Sequence, residues 1–325
     1  MSEIHGYTLS EEMHTKNAGR SMWCFGMKGN HEYFIKKLVD VTYPVNDGDL
    51  SPQVLERKRS KCEAFYRQKK RLYDALWQCR TGNNMVVHDF FREGPSYYAV
   101  TDKVQGAALP IKKIAKLGED EKMVLLRSIL YSVAAFHERG IVHSDIKPDN
   151  ILVIRTIEGY CTGKIIDYDL GFMEDDPPKE IGGDQVYFSP ETLLLAKEEE
   201  ARASTAMDIF SLGILFHEYW TGERPKISED YDLVCEAVCD GAPVELSDEL
   251  PEPVAQMISR MLLLNPEERP TARTALYMLS SQKEPEPLFG PEPQEQESVP
   301  EKAKDDISET QKKVAKGFYR ARQFD

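Results

Sequence analysis

Short runs of branched and aromatic residues, many of them alternating with polar ones, dominate the first hundred positions, and apolar stripes at three- and four-residue spacing dominate from about Glu119. The first pattern predicts strands and the second helices. The segment SMWCFGMKGNHEYFIKKL (21–38) reads as a hairpin, because Gly29-Asn30 supplies a tight turn between two such runs. Ser51-Pro52 opens a helix, and Cys62, Phe65, Tyr66, Leu72, Tyr73 and Leu76 carry it to about Trp77. Two more strands are expected at NMVVHDFF (84–91) and SYYAVTDKV (96–104), divided by Gly94-Pro95.

In the second half, Leu126, Ile129, Leu130, Val133 and His137 form one stripe of a helix that Gly140 stops. GKIIDYDLGF (163–172) reads as a short strand running into a loop. MDIFSLGILFHEYW (207–220) is apolar nearly all round, which predicts a helix buried at the centre of this half, and short helices follow to about Met278. Beyond Gln282 the chain is rich in Pro, Glu and Gln and is expected to be a disordered tail. The expected organisation is strand-rich over 1–104, helical over 105–282 and a tail over 283–325 that ends in a basic segment.

Composition narrows the chemistry. The 325 residues are 41% hydrophobic, enough for a sizeable core, and a formal net charge of −14 argues against general binding of nucleic acid or anionic membrane. The six cysteines are scattered with no C-x-x-C pair, the usage expected of reduced thiols in the cytoplasm. With no run near about 18 apolar residues and a polar start, neither membrane insertion nor secretion is expected.

One stretch stands apart. IVHSDIKPDNILV (141–153) crowds His143, Asp145, Lys147, Asp149 and Asn150 between two apolar runs, a polar density that points to chemistry rather than to surface. The order His143-x-Asp145-x-Lys147-x-x-Asn150 resembles the catalytic loop of protein kinases, with the usual H-R-D reading H-S-D. By that resemblance Asp145 is the base, Lys147 faces the moving phosphate and Asn150 is a metal ligand. Further matches follow in the family's order. KIIDYDLGF resembles the D-F-G strand and loop, which makes Asp167 a magnesium ligand, puts Tyr168 in the Phe position and has Asp169 replace the Gly. Ser189-Pro190-Glu191 resembles A-P-E, Asp208 in MDIFSLG would brace the catalytic loop, and Arg269 in NPEERPTA would pair with Glu191.

In the first half, YFIKKL resembles the V-A-I-K strand, so Lys36 would meet the α and β phosphates of ATP while Lys37 points to the opposite face. The glycine-rich G-x-G-x-x-G is absent; the corresponding turn reads TKNAGRSM, with only Gly19 near the place of the third glycine. The long helix is expected to give Glu63 to Lys36, Thr101 to be the gatekeeper, and Asp102 to Val104 to offer backbone hydrogen bonds to adenine.

Two departures bear on control. Ser144 replaces the arginine that in many kinases clamps a loop phosphate, and no Ser, Thr or Tyr lies between Gly171 and Val186, so activation by loop phosphorylation is not expected. Asp184 replaces the usual threonine of G-T-x-x-Y and is expected to bind Lys147. The resemblance, to eukaryotic-type (Hanks-type) Ser/Thr protein kinases including their bacterial members, implies an α+β, two-lobed fold: a small strand-rich lobe with one long helix, and a larger mainly helical lobe. It implies transfer of phosphate from ATP with Mg2+ to serine or threonine of proteins, K-P-D-N being the Ser/Thr form. A pseudokinase scaffold or allosteric partner is the alternative, and transfer of a nucleotide is a third reading. Asp149, Glu174, Asp175 and Asp176 suit basic protein substrates; the basic, aromatic segment QKKVAKGFYRARQF reads first as a solubilising end with no partner and second as a segment that docks on its own or a neighbouring domain, delivering Ser308 or Thr310 for autophosphorylation or blocking the cleft.

Overall fold

The computed structural model describes residues 2–15, 21–39, 41–45, 50–79, 83–104, 109–157 and 159–280. Gly19 and the tail calls, Ser308 and Thr310 among them, lie outside these residues. Six antiparallel strands form one sheet: β1 (Glu3–Ile4), β2 (Tyr7–Leu9), β3 (Ser21–Lys28), β4 (His31–Leu38), β5 (Val87–Glu93) and β6 (Ser96–Asp102), in the order β1-β2-β3-β4-β6-β5. The expected hairpin is β3–β4. Lys28 pairs with His31 across it, and Gly29 takes φ +62° at the turn, a conformation open to glycine. Period-two alternation then sorts the sheet. Ile35, Tyr98 and Val100 join Tyr7, Cys24 and Phe91 in a core on one face. Lys36 pairs with Ala99 and Phe34 with Thr101 on the other face, while Lys37 pairs with Tyr98.

Helix α1 (Pro52–Gln78) starts where Ser51 Oγ accepts the N–H of Val54 (3.5 Å), a side-chain cap ahead of a proline at the first helical position. Its inward stripe packs on the Lys36 face of the sheet: the ring of Tyr66 stacks on Phe90 (5.2 Å) and Tyr73 meets Phe90 edge-on (5.0 Å). The strand expected from residue 84 begins only at Val87, because the preceding residues pair elsewhere. Asn84 bridges to Ile165 in the other lobe, and the N–H of Met85 donates to the Ile165 carbonyl at 2.9 Å.

The larger lobe holds α2 (Ile111–Ile114), α3 (Glu119–His137), α4 (Pro190–Ala196), α5 (Ala206–Thr221), α6 (Val234–Cys239), α7 (Glu252–Met261) and α8 (Ala272–Met278). Every residue of α5 from Met207 to Trp220 is buried, as all-round apolarity requires, with α7 packed along it and α3 against α8. Two short strand pairs carry the chemistry-bearing loops: β7 (Ile141–Val142) with β10 (Phe172–Met173), and β8 (Ile151–Arg155) with β9 (Cys161–Ile165). Residues 143–150 run from β7 to β8 and 166–171 from β9 to β10, so these pairings bring the two loops side by side. This is the two-lobed arrangement expected, a strand-rich lobe with one long helix and a mainly helical lobe. All six cysteines are free thiols, and among the described residues no helix is long and apolar enough to cross a membrane.

Candidate active site

The loop after β7 is bent and fully tied. Asp208, from the first turn of α5, accepts the backbone N–H groups of His143 (2.7 Å) and Ser144 (2.9 Å), and its Oδ2 lies 3.0 Å from His137 Nε2. His143 Nε2 donates to the Ile166 carbonyl (3.0 Å), and the Ile166 N–H donates to the Asn150 carbonyl (3.0 Å), which ties one chemistry-bearing loop to the other. Asp145 is held from three sides. Lys147 Nζ lies 2.8 Å from its Oδ2, Asn150 Nδ2 donates to Oδ2 and to the Asp145 carbonyl (both 2.8 Å), and the Asp184 N–H donates to Oδ1 (3.1 Å). With both amide hydrogens of Asn150 taken, its amide oxygen is the atom available to a cation.

Asp167 stands second in the loop from β9 to β10 at φ +63°, in the left-handed region that few residues other than glycine, asparagine and aspartate enter and where strain gathers at functional positions. The Lys36 ammonium lies 2.8 Å from Asp167 Oδ1 and 2.7 Å from Asp169 Oδ2. Burial pushes Lys36 down, but the charges of Asp169 and Asp167 outweigh it and hold the ammonium above its usual range. The two carboxylates part company. Burial raises both, but Lys36 overcomes it at Asp167 and holds that carboxyl low, whereas the neighbouring Asp167 charge adds to burial and leaves Asp169 raised.

The expected partnership of Glu63 with Lys36 is corrected by the structure. Glu63 is exposed on α1, and the carboxylates at Lys36 are Asp167 and Asp169. The cause is helix phase: the inward residues run Cys62, Tyr66, Lys69, Tyr73 and Leu76, and Glu63 falls about 100° away from Cys62. On that stripe it is Lys69 that reaches the site. Its ammonium donates to the backbone carbonyls of Asp169 (2.5 Å), Gly171 (3.0 Å) and Tyr168 (3.4 Å), and burial pushes its pKa down to about 8. No motif marked Lys69; its phase on the apolar stripe of Cys62, Tyr66, Tyr73 and Leu76 was the signal that could have found it. The Asp184 side chain also departs from expectation, capping the N–H of Val186 (3.1 Å), while Lys147 is 2.8 Å from Asp145.

Thr101 is buried on the Lys36 face of the sheet, opposite Phe34. Asp102 ends β6 with its carboxylate 2.8 Å from His88 and 3.2 Å from His31, and the hydrogen bond to His88 holds its pKa low against burial. Val104 follows, half-buried. Behind the site, Arg269 and Glu191 form a two-pronged buried pair at 2.8 and 3.0 Å. Tyr168 fills the space between His143 (rings 4.7 Å apart) and Phe136 (5.9 Å), its hydroxyl donating to Asn84 Oδ1 (3.4 Å).

The donor chemistry fits a hard divalent cation. A carboxylate at Asp167 and an amide oxygen at Asn150 are the kinds of oxygen ligand that Mg2+ takes, and the Lys36 ammonium stands 2.8 Å from Asp167. A profile of the protein kinase domain matches residues 57–279, so Lys36 and the first four strands precede the matched region. Calcium/calmodulin-dependent protein kinase cmkB of Emericella nidulans is 29% identical over 214 residues, 62% of this chain and 51% of that protein. Calcium/calmodulin-dependent protein kinase type II of Caenorhabditis elegans is 30% identical over 201 residues, 60% of this chain and 27% of its own. Serine/threonine-protein kinase cds1 of Schizosaccharomyces pombe is 30% identical over 199 residues, 58% and 42% respectively. The chain thus spans about half or less of the length of these relatives.

Proposed function

The chain belongs to the protein kinase family, and from that premise we propose that it transfers the γ-phosphoryl group of ATP to serine and threonine hydroxyls of proteins. The observation that carries the reading is the joining of Asp145, Lys147 and Asn150 on one loop to Asp167 on the next through the His143–Ile166 and Ile166–Asn150 hydrogen bonds, with Lys36 of β4 reaching Asp167 from the strand-rich lobe at 2.8 Å. Asp145 is the base. It takes the substrate hydroxyl proton as that oxygen bonds to the γ-phosphorus, while the bond from phosphorus to the β–γ bridging oxygen breaks and ADP leaves. Lys147, at the same carboxylate, faces the charge on the transferring group, and Lys36 holds the α and β phosphates. Asp167 and Asn150 hold Mg2+, which neutralises phosphate charge when bound. Thr101 and the backbone of Asp102 to Val104 line the adenine end.

The activation segment supports a rate that needs no loop phosphate. Arg71 of α1 lies 2.6 Å from Asp175, and Gln68 donates to Asp176 (3.2 Å), so carboxylates fixed in the sequence meet the groups a phosphate would seek. Exposed Asp149, with Asp176, whose partner Gln68 is neutral, favours basic protein substrates. The test is mass spectrometry of a mixed set of protein substrates after incubation with ATP and Mg2+. Gain of phosphate on Ser or Thr, lost in Asp145→Asn by about two to four orders of magnitude in rate, is expected. Gain of a nucleotide, or no change, overturns the reading, the latter in favour of a scaffold.

A further inference from the structure

Resting on the proposed role of Lys36 at the nucleotide, we propose that Asp169 is the carboxylate that keeps Lys36 aligned there, and that Lys69 is the positioning residue that fixes Asp169, the two together standing in for a carboxylate from α1. The first argument is one of charge. Lys36 touches two carboxylates of the same loop, at 2.8 and 2.7 Å. A divalent cation at Asp167 draws that carboxylate to itself, and Asp169 is then the anion left to Lys36. The second argument concerns what α1 offers. Its inward stripe places an ammonium, not a carboxylate, at this loop, and the three N–H bonds of Lys69 are matched by the carbonyls of Tyr168, Asp169 and Gly171. A carboxylate at position 69 would set acceptor against acceptors.

The third argument is balance and rigidity. Lys36 and Lys69 offset the two charges of Asp167 and Asp169, and loss of Lys69 takes away the ammonium that the carbonyls of Tyr168, Asp169 and Gly171 share. Gln68 and Arg71, on either side of Lys69, tie Asp176 and Asp175 to the same helix, so the chain is fastened to α1 both at the loop carrying Asp169 and just beyond β10. The arrangement explains why the chain carries Asp at 169 and Lys at 69 together: each needs the other, because the carboxylate that Lys36 requires has moved from the helix to the loop.

The test compares Asp169→Asn, Lys69→Met and Lys69→Arg with the wild type. In steady-state transfer, Asp169→Asn and Lys69→Met are expected to raise KM for ATP about tenfold or more, with a smaller change in kcat, and Lys69→Arg to recover part of the loss. Two readouts need neither nucleotide nor activity. In the nucleotide-free protein, amide hydrogen exchange at Asp169 to Gly171 should accelerate about tenfold or more in Lys69→Met and less in Lys69→Arg. Unfolding of Asp169→Asn, Lys36→Met and the double variant should be non-additive. Additive unfolding, or unchanged exchange in Lys69→Met, overturns the proposal whether or not the protein transfers phosphate. A wild type that neither binds ATP nor transfers phosphate removes the proposed function, while the exchange and unfolding results still judge the Lys36–Asp169–Lys69 arrangement.

Discussion

Asp208 Oδ1 accepts the backbone N–H of Ser144 at 2.9 Å, and Ser144 is held at φ +67°, a left-handed conformation that serine seldom adopts. Oδ2 of the same carboxylate accepts the N–H of His143 (2.7 Å). The first turn of a buried helix thus supplies the two acceptors that stabilise a bent backbone just ahead of Asp145, and their removal releases the bend.

Asp208→Asn should therefore disturb the loop more than a change of one atom suggests. An amide can present only one oxygen, so one buried N–H is left facing an NH2 group, at a cost of about 1–3 kcal/mol. Urea unfolding should show a loss of that size, and the rate of phosphate transfer should fall with little change in KM for ATP. A variant of wild-type stability and rate would mean that the bend is held by other contacts.

Arg269 and Glu191 make a second buried tie, with side chains 0% and 6% exposed, and Arg269 also donates to the carbonyls of Leu263, Leu264 and Ala206. Glu191→Ala leaves a buried guanidinium without its counter-charge and should destabilise the protein by about 3–5 kcal/mol. The double variant Glu191→Leu with Arg269→Met should recover part of that loss in denaturant unfolding, because no charge then remains to be paired.

These ties were legible in the sequence to different degrees. The β3–β4 hairpin and the buried α5 followed from local pattern, because each carries its signal within about fifteen residues: a Gly-Asn turn between strand-forming runs, and apolarity all round a helix. The strands β7 and β10 are two residues long and have no period to read; they exist because pairing with each other sets the two loops side by side. The phase of α1 was the point of failure. In a helix of 27 residues rich in charge, Glu63 read as the inward carboxylate and Lys69 as one more solvated position, and only the docking of the stripe Cys62–Tyr66–Tyr73–Leu76 decides that the lysine turns inward. Asp169 read as a lost glycine. Its tie to Lys36 joins a loop of one lobe to a strand of the other and leaves no local trace.

Gly183 passes beside the 143–150 loop at φ +155°, and a methyl group there would come within 2.9 Å of the Ser144 carbonyl and 3.1 Å of the Phe188 ring. Gly183→Ala forces the 182–184 backbone away from Asp145, whose Oδ1 accepts the next N–H, that of Asp184, at 3.1 Å. The expected result is a fall in kcat of tenfold or more, the effect of about 1.4 kcal/mol in the barrier, with KM for ATP nearly unchanged. Equal kinetics in the two proteins would show that the segment can shift without cost to the base.

His217 gives the fold a pH dependence separate from the site. It is buried on α5, where Nδ1 lies 2.7 Å from the Glu223 carbonyl and Nε2 accepts the N–H of Ser247 at 3.1 Å, so one neutral tautomer satisfies both partners. Burial lowers its pKa below 6.5, with the hydrogen bond to the Glu223 carbonyl opposing in part. Between the folded pKa and 6.5 the unfolded chain binds more protons than the folded one. The contribution to stability is thus complete above 6.5 and is lost as pH falls through the folded pKa, where a proton on Nε2 would also face the Ser247 N–H. Thermal unfolding followed from about pH 7 to about pH 5 should show a decline in Tm that is shallower in His217→Gln, which has no group titrating in that window. Parallel curves for the two proteins would assign the decline to other groups.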